Sequence, residues 1–354
     1  MRLLIAGGGT GGHLFPALAV ARAFRAEEPD GALLMVGRSG GPEERVVPAA
    51  GFDLATVNIR GLDRDAVWKN VALPYLVPAA LRAGLRIVDR FRPDVVLGMG
   101  GYVMAPAVAA ARLRGIPYVL HEKDVRPGLA TRIFAGRAAA ICTTLPGTEK
   151  RIRGRRVELT GVPLRKGFMP RTPDVPPQRL LITGGSQGAR NLNQAVWSVL
   201  DELLGRFQEV VHVAGRQGTE GVQRHARARY RGMAFTDDMP DLMTSTDLIV
   251  SRGGVGTIAE ATAVGLPMIL VPGTFGGGHQ EENAASMVDA GAAVRIADAE
   301  LSGARLMTTI KGLDDERLRT MAAASAKAGL RDAAQRVLEV LHEVARTPGR
   351  AQGA

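Results

Sequence analysis

Both halves of the 354-residue chain open on the same local pattern. The apolar run Leu3-Leu4-Ile5-Ala6 empties into Gly7-Gly8-Gly9-Thr10-Gly11-Gly12-His13, and Pro16 to Arg25 then reads as a helix. Arg179 to Thr183 likewise empties into Gly184-Gly185-Ser186-Gln187-Gly188-Ala189-Arg190, with a helix from about Asn191. A buried strand, a glycine turn and a helix form the opening unit of a doubly wound parallel sheet. Two copies predict an α/β protein of two Rossmann-like doubly wound domains facing a cleft. The chain is also long for one domain. The patternless, proline-rich segment 170–177 and the turn before it place the boundary, giving domains at 1–162 and 163–331. A last amphipathic helix, about Asp332 to Ala345, is expected to carry 332–354 back towards the first domain.

A third strand–turn–helix lies at Leu248 to Ala284. Leu248 to Val250 reads as a strand, Arg252 to Gly256 as a tight turn, and a helix is expected from about Thr257 until Gly265-Leu266-Pro267 stops it. Free amides and the positive end of the helix dipole make such a junction an anion site, and glycines let a phosphate approach the backbone. Glu260, expected in the first helical turn, can accept from two ribose hydroxyls. Phosphate donors beside a ribose acceptor point to a nucleoside diphosphate.

The other segments narrow the choice. Gly7, Gly9 and Gly12 spell a G-x-G-x-x-G, but the second strand, Ala32 to Val36, runs into Gly37-Arg38 without the carboxylate that a dinucleotide ribose needs. Arg38 suits an NADP 2′-phosphate, so an NADP oxidoreductase stays open at this point. Asp63-Arg64-Asp65 is a formal metal-binding pair, but it lies in a polar stretch and reads as a surface loop. A single cysteine, Cys142, excludes a disulfide framework or a thiolate metal cluster. The net charge of +10 favours an anionic partner, whereas 4% aromatic residues argue against base-stacking nucleic-acid platforms. No signal peptide or bilayer-length apolar run is visible. Residues 67–90 mix apolar side chains with Lys69, Arg82, Arg86 and Arg90, which suits a membrane interface or an amphipathic helix over a sheet; Pro74 and Pro78 are expected to break this region into short pieces. Gln217 to Tyr230 reads as helix and Ala234 to Thr236 as a short strand. Polar groups from His121 to Asp124 are expected just beyond a strand end, where open α/β sheets bind ligands.

Taken together, Gly7 to Pro16, Gly98-Met99-Gly100-Gly101-Tyr102, His121-Glu122, Gly184 to Arg190, Glu260 with Ala263 to Pro267, and His279-Gln280 with Asn283-Ala284 resemble the MurG-type UDP-N-acetylglucosamine transferases of bacterial peptidoglycan synthesis. The resemblance spans nearly the whole chain. It implies the GT-B fold, with the lipid acceptor on the first domain and the sugar nucleotide on the second. It implies transfer of N-acetylglucosamine from UDP-N-acetylglucosamine to undecaprenyl-pyrophosphoryl-N-acetylmuramyl-pentapeptide. It also implies peripheral work at the inner face of the cytoplasmic membrane, with no metal, no cofactor and no nucleic acid. A related lipid glycosyltransferase with another acceptor is the alternative.

Carried over by motif, the donor side comprises Thr10, Gly11, Gly12, Asp124, Arg165, Ser186, Ile258, Ala259, Glu260 and Gln280. Glu260 is the implied ribose ligand, Ser186 and Arg165 meet the diphosphate, and Gln280 meets the sugar. His13 is the implied general base. Tyr102, His121 and Glu122 lie on the acceptor side, Glu122 as a second catalytic candidate. The sequence departs from the family's usual His-Glu-Gln-Asn at Lys123-Asp124, from Gly-Asn-Pro-Val-Arg at Gly161 to Arg165, and from Ser-Arg-Ala-Gly-Ala at Ser251 to Val255.

Overall fold

The computed structural model describes residues 1–61, 71, 73–185, 188–274 and 278–346. Asp63-Arg64-Asp65, Ser186 and the stretch 67–70 fall outside the described residues. The chain divides into two compact units, Met1–Arg165 with Asp332–Ala354, and Lys166–Arg331.

The first unit is built on seven parallel strands: β1 (Arg2–Ala6), β2 (Ala32–Arg38), β3 (Leu54–Val57), β4 (Val95–Gly98), β5 (Tyr118–Glu122), β6 (Ala140–Thr143) and β7 (Val157–Leu159). Their order is β3-β2-β1-β4-β5-β6-β7. Helices α1 (Gly11–Glu27), α2 (Glu43–Ala49), α3 (Leu73–Phe91), α4 (Ala105–Leu113) and α5 (Leu129–Phe134) intervene. In the second unit, β8 (Arg179–Thr183), β9 (Glu209–Val213), β10 (Tyr230–Met233), β11 (Leu248–Ser251), β12 (Met268–Leu270) and β13 (Ala293–Arg295) run in the order β10-β9-β8-β11-β12-β13. Its helices are α6 (Arg190–Ser198), α7 (Leu200–Arg206), α8 (Thr219–Arg224), α9 (Met239–Thr244), α10 (Val255–Val264), α11 (His279–Asp289), α12 (Gly303–Lys311) and α13 (Asp315–Ala328). The last helix, α14 (Ala333–Arg346), belongs to the first unit.

Each sheet reverses its winding direction once, between β1 and β4 and between β8 and β11. The glycine turns after β1, β4, β8 and β11 all sit at these switch points, where side chains of neighbouring connections diverge and leave a crevice. The period of two along β1 explains how one strand serves two layers. Leu3 and Ile5 join Val20, Phe24, Val337 and Leu341 on the α1 and α14 side, whereas Leu4 and Ala6 join Val108 and Ala111 on the α3 and α4 side. In the second unit Leu180, Ile182 and Val250 face α6, α12 and α13 through Leu192, Leu306 and Leu318. The apolar stripe of α14 thereby closes one face of the first sheet, and His342 and Met1 share the Glu28 carboxylate at 2.7 and 2.6 Å.

Three expectations are corrected. Residues 73–91 form one continuous helix, because Pro74 falls in the first turn, where no amide partner is needed, and Pro78 costs a single bond one turn later. Residues 217–230 are not one helix: α8 stops at Arg224, Arg229 takes a left-handed φ of 64°, and Tyr230 starts a strand that buries its ring, in place of a strand at 234–236. Helix α1 starts at Gly11, so His13 stands in its first turn and not in a loop before it.

Candidate active site

At the β1 turn the helix cap sets the geometry. Thr10 has the extended backbone of an N-cap but does not bond a helix amide; its Oγ1 lies 3.1 Å from His13 Nδ1 instead. The imidazole is half-buried against Gly100 and Gly101, where a Cβ would come within 3.2 and 3.3 Å of its ring. Both glycines also need a positive φ, of 84° and 68°. The turn after β4 is therefore shaped to receive the His13 ring. Burial, with the Lys123 cation nearby, lowers the His13 pKa to about 4, so the ring is neutral at pH 7. Thr10, Gly11 and Gly12 are exposed at the start of α1.

His121 and Glu122 are corrected in place: they are the last two residues of β5, both buried, and not in a loop beyond it. His121 Nε2 donates to the Gly161 carbonyl at 3.1 Å, which fixes its tautomer, and burial lowers its pKa to about 4. The Glu122 carboxylate accepts from the amides of Asp124 at 3.1 Å and Gly128 at 3.0 Å, while burial raises its pKa. It thus shapes the 123–128 loop. The departure at Lys123-Asp124 is an ion pair of 2.7 Å, both partners half-buried, with the Lys123 chain beside Gly12. Tyr102 is half-buried beside Gly9 and Arg38: a Cβ on Gly9 would lie 3.2 Å from its hydroxyl, which accepts from Arg38 Nη1 at 3.5 Å.

In the second unit, α10 begins at Val255 with Gly254 as its N-cap, and no side chain caps it. By contrast, Ser302 and Asp314 cap α12 and α13 with their own oxygens. Gly254 itself therefore offers no side-chain acceptor to the first amides of α10. Glu260 falls in the second turn of α10, not the first, because the helix starts two residues earlier than the sequence pattern suggests. It is half-buried, as is Ala259, and Ile258 is buried in the core. The start of α11 packs on this turn: Asn283 Nδ2 donates to the Gly253 carbonyl at 3.2 Å, and a Cβ on Gly253 would press on the Gln280 backbone. Gln280 Oε1 accepts from the Gly273 amide at 2.8 Å. Arg165 is half-buried at the end of the first unit. Among the described residues no group of three His, Cys, Asp or Glu side chains is placed to hold a metal ion.

The chain matches the Glycosyltransferase family 28 N-terminal domain over residues 3–143 and the family's C-terminal domain over residues 179–337. The UDP-N-acetylglucosamine–N-acetylmuramyl-(pentapeptide) pyrophosphoryl-undecaprenol N-acetylglucosamine transferase of Moorella thermoacetica is 38% identical, across 96% of this chain and 98% of its own. The protein of the same name from a Nocardioides species is 39% identical, across 97% and 98%. The crystal structure of Acinetobacter baumannii MurG superposes with a TM-score of 0.81 at 26% identity, across 97% of this chain and 99% of that one. The chain belongs to this MurG transferase family.

Within the MurG frame, three features went unread in the sequence. Glu43, buried on α2, accepts the Gly9 amide and fills the first glycine turn. An NADP pyrophosphate would have to displace it, and the match to the transferases likewise disfavours the oxidoreductase alternative. Arg252 bridges the Val271 carbonyl at 3.0 Å and Asp298 at 2.6 Å, bracing the turn before α10. A buried relay fixes α6 behind the 184–190 turn: Trp197 Nε1 donates to Tyr230 Oη (2.9 Å), Tyr230 to His212 Nδ1 (3.0 Å), His212 Nε2 to Asn193 Oδ1 (3.1 Å), and Asn193 Nδ2 to the Ala214 carbonyl (2.8 Å). Burial lowers the His212 pKa to about 3, so one neutral tautomer completes the relay. Spacing gave no signal for any of these, since each pair lies 18 or more residues apart.

Proposed function

We propose that the protein is an inverting hexosyltransferase that moves N-acetylglucosamine from UDP-N-acetylglucosamine to undecaprenyl-pyrophosphoryl-N-acetylmuramyl-pentapeptide. The observation that carries this reading is the near-complete coverage of both chains in the match to transferases of that name. The second unit takes the donor: the uncapped start of α10 and the 184–190 turn accept the diphosphate, Glu260 the ribose, and Gln280 the sugar. Arg165 and Ser186 complete the diphosphate contacts.

The first unit takes the acceptor. The acceptor hydroxyl attacks the anomeric carbon from the face opposite UDP, through an oxocarbenium-like transition state that inverts configuration. Charge grows on the departing diphosphate, so amides and guanidinium groups aimed at it stabilise the transition state more than the ground state. His13 takes the proton. With Nδ1–H donated to Thr10 Oγ1, the Nε2 lone pair is left free, and its low pKa keeps it unprotonated at pH 7. Glu122 holds the loop that carries Lys123 and Asp124; on this reading Asp124 serves the donor sugar, and Tyr102 and His121 serve the acceptor.

The membrane reading rests on α3 and the residues before it. Val71, Tyr75 and Val77 are exposed beside Arg82, Arg86 and Arg90, an apolar edge with cations that suits peripheral contact with an anionic inner leaflet. Among the described residues no helix is long and apolar enough to cross a bilayer. Incubation with UDP-N-acetylglucosamine and a panel of lipid acceptors, following UDP release, tests the whole assignment. Release must depend on the pyrophosphoryl-muramyl lipid; release with a diacylglycerol acceptor alone would replace it with a different lipid glycosylation.

A further inference from the structure

The first glycine turn does what such turns do, but for a carboxyl group that the chain carries itself. Glu43 is fully buried on α2, and its Oε1 accepts the amide of Gly9. Glycines from two segments enclose the side chain. A Cβ on Gly8 or Gly41 would collide with the carboxylate, and a Cβ on Gly37 would sit 2.7 Å from the Glu43 Cβ. Gly8 and Gly9 take φ values of 150° and 79°, open to glycine alone, and the very next residue is Thr10, the N-cap of α1. Thr10 in turn touches His13. The carboxylate thus stands where a nucleotide phosphate stands in a dinucleotide-binding turn, and the residue whose amide it holds is bonded directly to the cap that orients the imidazole.

We propose that Glu43 is a positioning residue for the transfer reaction: as a built-in substitute for phosphate, it locks the Gly8–Gly9 turn so that Thr10 and His13 face the acceptor hydroxyl. This rests on the transferase reading above. Glu43 is buried behind the turn, so its loss acts first on turnover, and donor binding changes only as far as the shift of Thr10 reaches it. A misplacement of about 1 Å at a reacting group costs on the order of 100-fold in rate.

The test uses the full-length chain and its Glu43→Ala and Glu43→Gln variants. UDP release gives kcat and KM, calorimetry gives UDP-N-acetylglucosamine affinity, and thermal unfolding monitors the fold. Glu43→Ala is expected to lose kcat by about 30-fold or more, with donor affinity within about 2-fold of the parent. Sodium formate, a carboxylate small enough for the vacated space, is expected to restore part of that loss, and sodium chloride at equal ionic strength is not. Glu43→Gln keeps the shape without the charge and is expected to lose kcat by about 10-fold. Parent-like kcat in Glu43→Ala overturns the inference alone. So does a loss of kcat, donor affinity and melting temperature in parallel with no formate effect, which marks a mere brace. If Glu43→Ala does not fold, Glu43→Gln decides, and unchanged kcat there overturns it. A parent chain that releases no UDP with any acceptor removes the transferase reading, and the inference with it.

Discussion

Asp247 is the most heavily engaged buried carboxylate in the second unit, and its removal has a calculable cost. It is 2% exposed. Its Oδ1 accepts the Asp174 amide at 3.0 Å and the Arg171 guanidinium; its Oδ2 accepts the amides of Gln178 at 3.0 Å and Arg179 at 2.9 Å. One side chain thereby ties the segment leading into β8 to the start of β11, the two strands that flank the switch point. In Asp247→Ala three amides and a guanidinium lose their acceptor. Breaking a buried pair costs about 3–5 kcal/mol, with bonds to water returning part of the rest. Asp247→Asn keeps one oxygen and turns an NH2 towards donors on the other side, for about 2–3 kcal/mol. With a urea slope of about 2 kcal/mol/M, the alanine variant shifts the midpoint of the second unit down by roughly 2 M and the asparagine variant by roughly 1 M. Trp197 reports this unit, and a Trp68→Phe background isolates its fluorescence. A midpoint loss below about 0.5 M in Asp247→Ala would refute the reasoning, because it would mean that water replaces the carboxylate at almost no cost.

Four further outcomes follow from the site. His13→Ala should lower kcat by about 100- to 10,000-fold while donor affinity by calorimetry changes little; equal losses in both remove His13 from the base role. Lys123→Gln should raise the His13 pKa, since the ammonium charge helps to hold it down, and so move the acid limb of the kcat/KM profile to higher pH; an unmoved limb dissociates the two groups. The folded pKa values of His121, about 4, and His212, about 3, lie below the ordinary 6.5, so folding excludes protons that the unfolded chain binds. Stability is complete above pH 6.5 and falls as pH drops below it, by about 2 kcal/mol for each histidine at pH 5, measurable by urea titration at pH 7.5 and 5. His212→Asn should flatten that slope in the second unit. Gly253→Ala should drive the start of α11 away from the turn before α10 and weaken UDP-N-acetylglucosamine binding by roughly 10-fold, read by calorimetry, because its Cβ would press on the Gln280 backbone.

What could be read in the chain was whatever depends on neighbours in sequence. Short, mainly apolar runs leading into glycine turns gave β1, β8 and β11, and Gly265, at φ 93°, ended α10 where Gly-Leu-Pro was expected to stop it. Strand β7 and helix α13 were not read, because short or alanine-rich segments have weak periodicity and are set by the surface they cover. Tyr230 was misread for the same reason: its ring is buried by the partners of β9 and not by any local pattern.

By itself the sequence determined two parallel sheets with glycine turns at their switch points, since backbone permissiveness and strand period are local properties. Tertiary structure alone decided what packs into each turn. Glu43 reaches the Gly9 amide from 34 residues away and fills the first turn, and Asn283 reaches the Gly253 carbonyl before α10 from 30 residues away. The physical reason is that an amide's acceptor is chosen by whatever the fold packs beside it, and residue spacing does not carry that information.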